Sequence, residues 1–311
     1  MVPDLIRIAT RESALAMCQT EMIAARLREL YPGLAVELVG MTTKGDQILD
    51  RPLAQVGGKG LFVKELENAL SEDRADLAVH SLKDVPMVLP AGFALAFVAG
   101  REDPHDAFVS TRYASLADLP AGARVGTSSL RRECQLRRAA PHLTFHPLRG
   151  NVNTRLAKLD RGEYDAIILA AAGLRRLGFA DRIRATLPMA LALPAIGQGI
   201  LGLEHLSSRP ELAALLAPFT DAATTAVANA ERAVGVVVEG SCEVPIGAHA
   251  TVDGDALHIE AFVGMPDGTR VIRVEDRGAL ADAVRIGERA GQRLLDCGGR
   301  AVLAALPPAP T

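Results

Sequence analysis

The chain has 311 residues, 49% hydrophobic and 23% charged, with a net charge of −3. That is a globular composition, too long for one ordinary core, so two or three domains are expected. The four cysteines (18, 134, 242, 297) lie far apart with no C-x-x-C pair, which excludes a zinc cluster or a disulfide framework, and no apolar run is long enough to span a bilayer.

In chain order, Leu5 to Thr10 reads as a strand, and Ser13 opens a helix with Leu15, Cys18, Met22, Leu27 and Leu30 at helical spacing, ended by Pro32-Gly33. Leu34 to Thr42 alternates as a strand does, Gly57-Gly58-Lys59-Gly60 is a flexible loop, Phe62, Leu66, Ala69 and Leu70 mark a helical face, and Asp76 to His80 is a short strand. This β-α-β-α-β order predicts a parallel sheet covered by helices. A second unit repeats the grammar: strands at Ala107 to Ser110, Arg124 to Gly126, Thr144 to Pro147 and Ile167 to Ala171, with helices over Leu130 to Arg138 and along Val152, Leu156 and Leu159. Leu187 to Gly199, rich in Pro and Gly, reads as a crossover. The last third changes character, with a helix over Asp221 to Val238, a hairpin turning at Asp253-Gly254, a turn at Pro266-Asp267-Gly268, a strand at Val271 to Val274 and a closing helix over Ala279 to Cys297. This is a small α+β domain with an antiparallel sheet, and the tail Pro307-Pro308-Ala309-Pro310 is expected to be disordered.

Charge is unevenly spread. Between Arg124 and Arg184 stand twelve Arg and one Lys against five acids, a net +8 that leaves −11 for the rest. Arginine suits bidentate recognition of carboxylate or phosphate, although solvated helix faces use it too. The segment has few aromatics for base stacking, so nucleic acid is not an expected partner. Gly197-Gln198-Gly199-Ile200-Leu201-Gly202 fits G-x-G-x-x-G, but Pro194 sits where the strand should be and no clear helix follows. His142 and His146 lie in extended chain between prolines with no third ligand, so no metal is expected.

Three segments carry the chemistry. Asp84, in His80-Ser81-Leu82-Lys83-Asp84-Val85-Pro86, follows a predicted parallel strand at its carboxyl end, where open α/β sheets bind ligands; a helix cap or a solvated loop residue is the plainer reading. Thr127-Ser128-Ser129-Leu130-Arg131-Arg132 opens a helix with hydroxyls and amides, which is either a plain cap or an anion site, and the paired arginines favour the anion. Cys242 sits in the turn Glu239-Gly240-Ser241-Cys242-Glu243, where a structural cysteine is not expected, although a plain loop cysteine remains open.

Together these segments resemble the porphobilinogen deaminase family from Leu5 to Leu306. The matching stretches are Ile8 to Ser13, Val56 to Phe62, Val79 to Pro86, Gly126 to Arg132, Leu148 to Arg155, Pro194 to Gly199 and the segment of Cys242. The resemblance implies two α/β domains like the lobes of a type II periplasmic binding protein, plus a small C-terminal α+β domain with an antiparallel sheet. The expected boundaries are 1–99 with 200–218, 100–199, and 219–311. It implies a cytoplasmic monomer that joins four porphobilinogen molecules head to tail, with loss of ammonia, into hydroxymethylbilane for porphyrin and heme biosynthesis. A dipyrromethane cofactor is expected on Cys242 through a thioether. Asp84 is implied as the catalytic carboxylate, offsetting charge on the azafulvene cation that forms as ammonia leaves. Ser81, Lys83, Asp84, Thr127, Ser129, Arg131, Arg132 and Gly150 are implied to hold the cofactor, and Arg11, Ser13, Phe62, Arg149, Arg155, Arg176 and Gln198 the substrate or growing chain. Gln55, Ser241 and Glu243 depart from the family pattern, and Glu243 places a negative charge beside the thiol. Two other readings compete: a two-lobed solute receptor, which does not need the third domain, and a cysteine acyltransferase, for which no histidine motif lies near Cys242.

Overall fold

A computed structural model describes residues 3–47, 60, 62–239 and 244–306. The chain begins with β1 (Leu5–Arg11), α1 (Ala14–Leu30), β2 (Ala35–Met41), α2 (Lys44–Gln47), α3 (Lys64–Ser71), β3 (Leu77–Ser81) and β4 (Phe93–Phe97). It continues through β5 (Asp106–Val109), β6 (Arg124–Gly126), α4 (Leu130–Ala139), β7 (Thr144–His146), α5 (Val152–Asp160), β8 (Ala166–Ala170), α6 (Ala171–Arg176) and β9 (Ala185–Thr186). Then come β10 (Leu201–Leu206), α7 (Pro210–Leu216), α8 (Ala222–Val237), β11 (Ile246–Asp253), β12 (Ala256–Gly264), β13 (Val271–Ala279), α9 (Ala283–Leu294) and α10 (Arg300–Ala305).

These strands make three sheets. The first runs β2-β1-β3-β10-β4 and the second β7-β6-β8-β5-β9, each five-stranded; the third is β11-β12-β13. The expectation of a purely parallel sheet is corrected. β10 runs antiparallel to β3 and β4, and β5 antiparallel to β8 and β9. The two large sheets share one plan, in which a strand arriving from the other lobe inserts antiparallel next to the third parallel strand. Two α/β lobes of type II periplasmic-binding-protein plan and a small antiparallel α+β domain are therefore present, as the resemblance implies.

Local chemistry explains the edges. Ser13, Ser129, Asn151 and Asp221 cap α1, α4, α5 and α8, each accepting a backbone N–H from the first turn. The turn at Asp253-Gly254 joins β11 and β12, with Gly254 at φ +57°. The closing helix ends earlier than periodicity suggests. α9 gives way after Leu294 to a π turn over Leu295–Gly299, where Gly298 takes φ 114° and kinks the chain before α10.

Burial is aliphatic, as the scarcity of aromatics requires. Ile6, Ile8, Ile23, Leu27, Leu77 and Leu203 fill the space between the first sheet and its helices. Truncating a buried leucine such as Leu27 to Ala costs about 2–5 kcal/mol. The second sheet buries both faces, with Phe108, Val125 and Ile168 on one side and Ala107, Ile167 and Leu169 on the other. Where the chain passes back between the lobes, Glu102 N donates to Gly199 O and Arg101 Nε to Gln198 O, at 3.2 and 2.8 Å. Gly199 sits there at φ +93°, and a Cβ would lie 2.2 Å from the Glu102 carbonyl, so only glycine fits this crossing.

Candidate active site

β3 delivers its residues to the carboxyl edge of the first sheet, and a single 3-10 turn over Leu82–Asp84 follows it. Asp84 lines a small pocket with Arg11, Ser13, Gln19, Phe62 and Ser81. The Arg11 guanidinium lies over the Phe62 ring, 4.1 Å from its centre. Gln19 and Ser81 exchange hydrogen bonds at 3.0 and 3.2 Å, which fixes the wall beside Asp84. Ser13 lines the same pocket, but its hydroxyl also caps α1 by accepting from Ala16 N at 3.4 Å.

The second lobe supplies the cations. α5 places Arg155 within electrostatic reach of Asp84, Arg11, Arg132 and Arg149. Burial, reinforced by the neighbouring guanidiniums, pushes Arg155 down to about 10, still protonated at neutral pH. Its Nε donates to Gly150 O at 2.7 Å. Gly150 itself stands at φ +108°, and a Cβ would meet the Thr154 side chain at 2.7 Å. Arg149 is buried, and that burial lowers its pKa.

Lys83 points to the other flank. Its half-buried ammonium lies 3.4 Å from Gln198 Oε1. Burial is the main reason its pKa falls to about 8; Arg131 and Arg132 push the same way, while Asp84 and Asp106 oppose them. Arg131 and Arg132 are buried and share one carboxylate. Asp106 accepts from Arg131 Nη2 at 3.0 Å, from Arg132 Nε and Nη2 at 2.9 and 2.7 Å, and from Gln198 Nε2 at 3.0 Å. Asp106 is fully buried, and against that desolvation the two guanidiniums hold its pKa well below the usual carboxylate range. Arg131 and Arg132 also donate to the Leu193 and Ile168 carbonyls, at 2.6 and 3.0 Å.

Thr127 and Ser129 sit at the mouth of α4. Thr127 Oγ1 accepts from Ser129 N at 3.2 Å, and Ser129 Oγ from Arg132 N at 3.5 Å, so both hydroxyls already serve the helix end. Arg176 stands apart, donating to Gly199 O at 2.7 Å and lying near Glu102 and Cys18. Cys242 lies outside the described residues. Cys18 donates to Arg176 O at 3.1 Å, Cys134 is buried and its thiol is pushed up to about 12, and Cys297 is exposed. No group of three or more His, Cys, Asp or Glu that could hold a metal occurs among the described residues, and no described helix is long and apolar enough to cross a membrane.

Sequence reasoning missed Asp106 and Gln19. A signal for Asp106 existed: thirteen cations between Arg124 and Arg184 face only five acids, so a buried arginine pair there needs a counter-ion from outside the segment. Asp106, at the head of a predicted strand, is that counter-ion.

Six cations (Arg11, Lys83, Arg131, Arg132, Arg149, Arg155) and two carboxylates (Asp84, Asp106), contributed by both lobes, thus stand within electrostatic reach of one another. Fold and site define a two-lobed α/β protein with a concentration of cations around Asp84 and Asp106. A profile described as "Porphobilinogen deaminase, dipyromethane cofactor binding domain" matches residues 6–214, and one described as "Porphobilinogen deaminase, C-terminal domain" matches residues 225–296. The porphobilinogen deaminase of Burkholderia thailandensis is 60% identical over 308 residues, 98% of this chain and 94% of that protein. Those of Bordetella parapertussis and Thiobacillus denitrificans are 59% and 58% identical, covering 98% and 97% of this chain and 97% and 99% of theirs. The chain belongs to the porphobilinogen deaminase family. Among solved structures, the BvgS VFT2 domain of Bordetella pertussis aligns at TM-score 0.41 and 18% identity over 68% of this chain and 85% of that one. The periplasmic aliphatic sulphonate binding protein of Escherichia coli aligns at TM-score 0.42 and 14% identity over 76% of this chain and 70% of that one.

Proposed function

We propose that this protein is a transferase that condenses four porphobilinogen molecules head to tail into hydroxymethylbilane, releasing one ammonia for each. The observation that carries the reading is the pairing of one carboxylate, Asp84, with a cleft of excess positive charge. Each pyrrole brings an acetate and a propionate, so a dipyrromethane carries four negative charges. The six cations and two carboxylates of the cleft leave an excess of four positive charges, which fits that group. Bound there, it supplies the pyrrole carbon on which the chain grows.

Lys83, Arg131 and Arg132, with Ser81, Thr127, Ser129 and the Gly150 backbone, hold the cofactor carboxylates. Arg11, Arg149 and Arg155, with Ser13, Phe62, Gln198 and Arg176, receive substrate and growing chain. Each charge-assisted hydrogen bond contributes roughly 1.5–3 kcal/mol. Asp84 accepts from pyrrole N–H groups and offsets the positive charge that develops on the substrate methylene carbon as ammonia departs. Among the described residues no hydrogen bond reaches its carboxylate, which supports a group kept available for a ligand. Cys242 anchors the cofactor through a thioether, so product leaves while the cofactor stays. The sheet memberships support three domains, 1–99 with 200–218, 100–199 and 219–311. The chain acts in the cytoplasm as a monomer.

The test is direct. Purified chain incubated with porphobilinogen should release ammonia and yield a linear tetrapyrrole. Its intact mass should exceed the sequence mass by one dipyrromethane, mapped to the peptide of Cys242. An active chain of unmodified mass refutes the cofactor, and an adduct on Cys18, Cys134 or Cys297 refutes the site. Absence of turnover refutes the function.

A further inference from the structure

The loop that carries Asp84 is packed into the third domain. Leu82 and Val85, on either side of Lys83 and Asp84, belong to the buried cluster of Ala226, Ala230 and Val234 from α8 and Val238 just after it. Charge completes the attachment. Arg232, on α8 and 9% exposed, donates through Nη2 to the carbonyls of Pro86 and Met87 at 2.7 and 2.9 Å. Ahead of the loop, His80 Nε2 meets Glu204 Oε2 at 2.9 Å, across the antiparallel pair of β3 and β10. Glu204 Oε1 and Arg232 Nη1 are both buried and make no hydrogen bond among the described residues. Burial lowers the Arg232 pKa, and Glu204 is the charge that opposes the shift. Glu67, also buried, has its pKa raised first by that burial and then by Glu204, and Lys64 Nζ stands 4.0 Å from Glu67.

We propose that Arg232 and Glu204 are positioning residues for Asp84, clamping the segment His80 to Met87 at its two ends. This deepens the role given to Asp84 above and rests on it. Glu204 holds His80 ahead of the turn and Arg232 holds the Pro86 and Met87 carbonyls behind it, so each end of the segment is fixed to its own buried charge. A short turn held this way keeps its middle residue within a fraction of an ångström, whereas displacement of a catalytic group by about 1 Å costs on the order of 10²-fold in rate. The clamp also has a steric half. Gly235, on the next turn of α8, lies so close that a Cβ would stand 2.6 Å from Met87 Sδ.

The test uses the holoenzymes Arg232→Gln, Arg232→Lys, Glu204→Gln and the Arg232→Gln/Glu204→Gln double variant, with kcat, KM and intact mass measured for each. Arg232→Gln should carry normal cofactor and a KM within about twofold of wild type, with kcat down about 10- to 100-fold. Arg232→Lys should recover most of that loss, because one ammonium can serve both carbonyls. The double variant should lose less than the product of the two single losses, since both residues hold the same short segment. Arg232→Gln with kcat within twofold of wild type overturns the proposal, as does a loss that Lys recovers no better than Gln. If Arg232→Gln fails to fold, Gly235→Ala decides, because it presses on Met87 and leaves both charges intact. A kcat loss at normal KM supports the clamp, and wild-type kcat overturns it. A wild-type chain that consumes no porphobilinogen would sink the proposed function itself, a result distinct from any of these.

Discussion

Replacing Asp106 by Asn removes the charge that Arg131 and Arg132 share and keeps the side chain's size. Both guanidiniums are buried, at 5% and 6% exposure, and Asp106 is fully enclosed, so no solvent substitutes for the lost anion. Breaking a buried ion pair by neutralising one partner costs about 3–5 kcal/mol. Here two cations lose one partner, and Lys83 beside them loses an attraction as well, so the upper end of that range applies to the apo chain. At roughly 2–4 °C per kcal/mol the apo protein should melt on the order of 10 °C lower. The holoenzyme should lose less, because cofactor carboxylates supply the missing charge to the same guanidiniums. The pH dependence follows from the depressed pKa of Asp106. Its stabilisation is complete above the ordinary carboxylate range near 4 and drains away as pH falls below it, so Asp106→Asn should flatten the acid limb of the stability curve. Urea titrations of apo and holo forms, followed by circular dichroism at several pH values, measure all three effects. A loss under about 1 kcal/mol in the apo form, or an equal loss in both forms, would refute the assignment of Asp106 as the hub of the site.

Asp84→Asn should assemble cofactor yet lose about 10²- to 10³-fold in turnover; near-normal turnover would show that Asp84 is only a turn residue. Arg11→Ala and Arg155→Ala should fold and stall as covalent complexes of defined length on intact mass spectra, whereas Arg131→Ala and Arg132→Ala should fail earlier by not retaining the cofactor. Unfolding of all four would mark them as structural. Lys83 titrates near 8 in the folded chain and near 10.4 unfolded, so the native state sheds its proton first and stability should rise with pH between those values. Over the same window, cofactor capture by apo chain should weaken as the ammonium is lost. Lys83→Arg should remove that alkaline decline, and a decline that persists in Lys83→Arg has another source.

Much of the fold was legible because its signals are local. The alternation through Leu5 to Thr10 and the caps at Ser13, Ser129 and Asp221 are written within a few residues of where they act. β4, β9, β10 and α7 were not legible. Leu201–Leu206 follows a Pro- and Gly-rich crossover and is buried along most of its length, so it shows no alternation, and its pairing with β3 joins residues more than a hundred positions apart. β9 is only Ala185–Thr186, too short for any periodicity. At the site, sequence supplied the residue types and the structure supplied their partners. Arg131 and Arg132 read as anion binders, but nothing near them in the chain announces that Asp106 occupies them, because that contact spans 25 and 26 positions.

That occupancy bears on how the cleft can exist before any ligand arrives. Burial is the main reason the pKa values of Lys83, Arg131, Arg149 and Arg155 are lowered, and repulsion from neighbouring guanidiniums adds to it for Lys83, Arg131 and Arg155. Asp106 neutralises the deepest pair, so the second lobe can fold around β5 and α4 without a bound anion. Asp84 cannot do the same for the rest of the cleft, since it makes no hydrogen bond to any described cation and sits half-exposed in its pocket. Lys83 and Arg155 are instead held by neutral oxygens, those of Gln198 and Gly150. A ligand that binds only the folded state stabilises it in proportion to the logarithm of its binding, and a covalent one does so permanently. On the proposed reading, the excess positive charge that would hold a polyanion also predicts that the empty chain is the less stable form. If Cys242 holds the first anionic pyrroles through a thioether, as proposed above, that charge would be supplied once, when the enzyme matures, and not anew at every turnover.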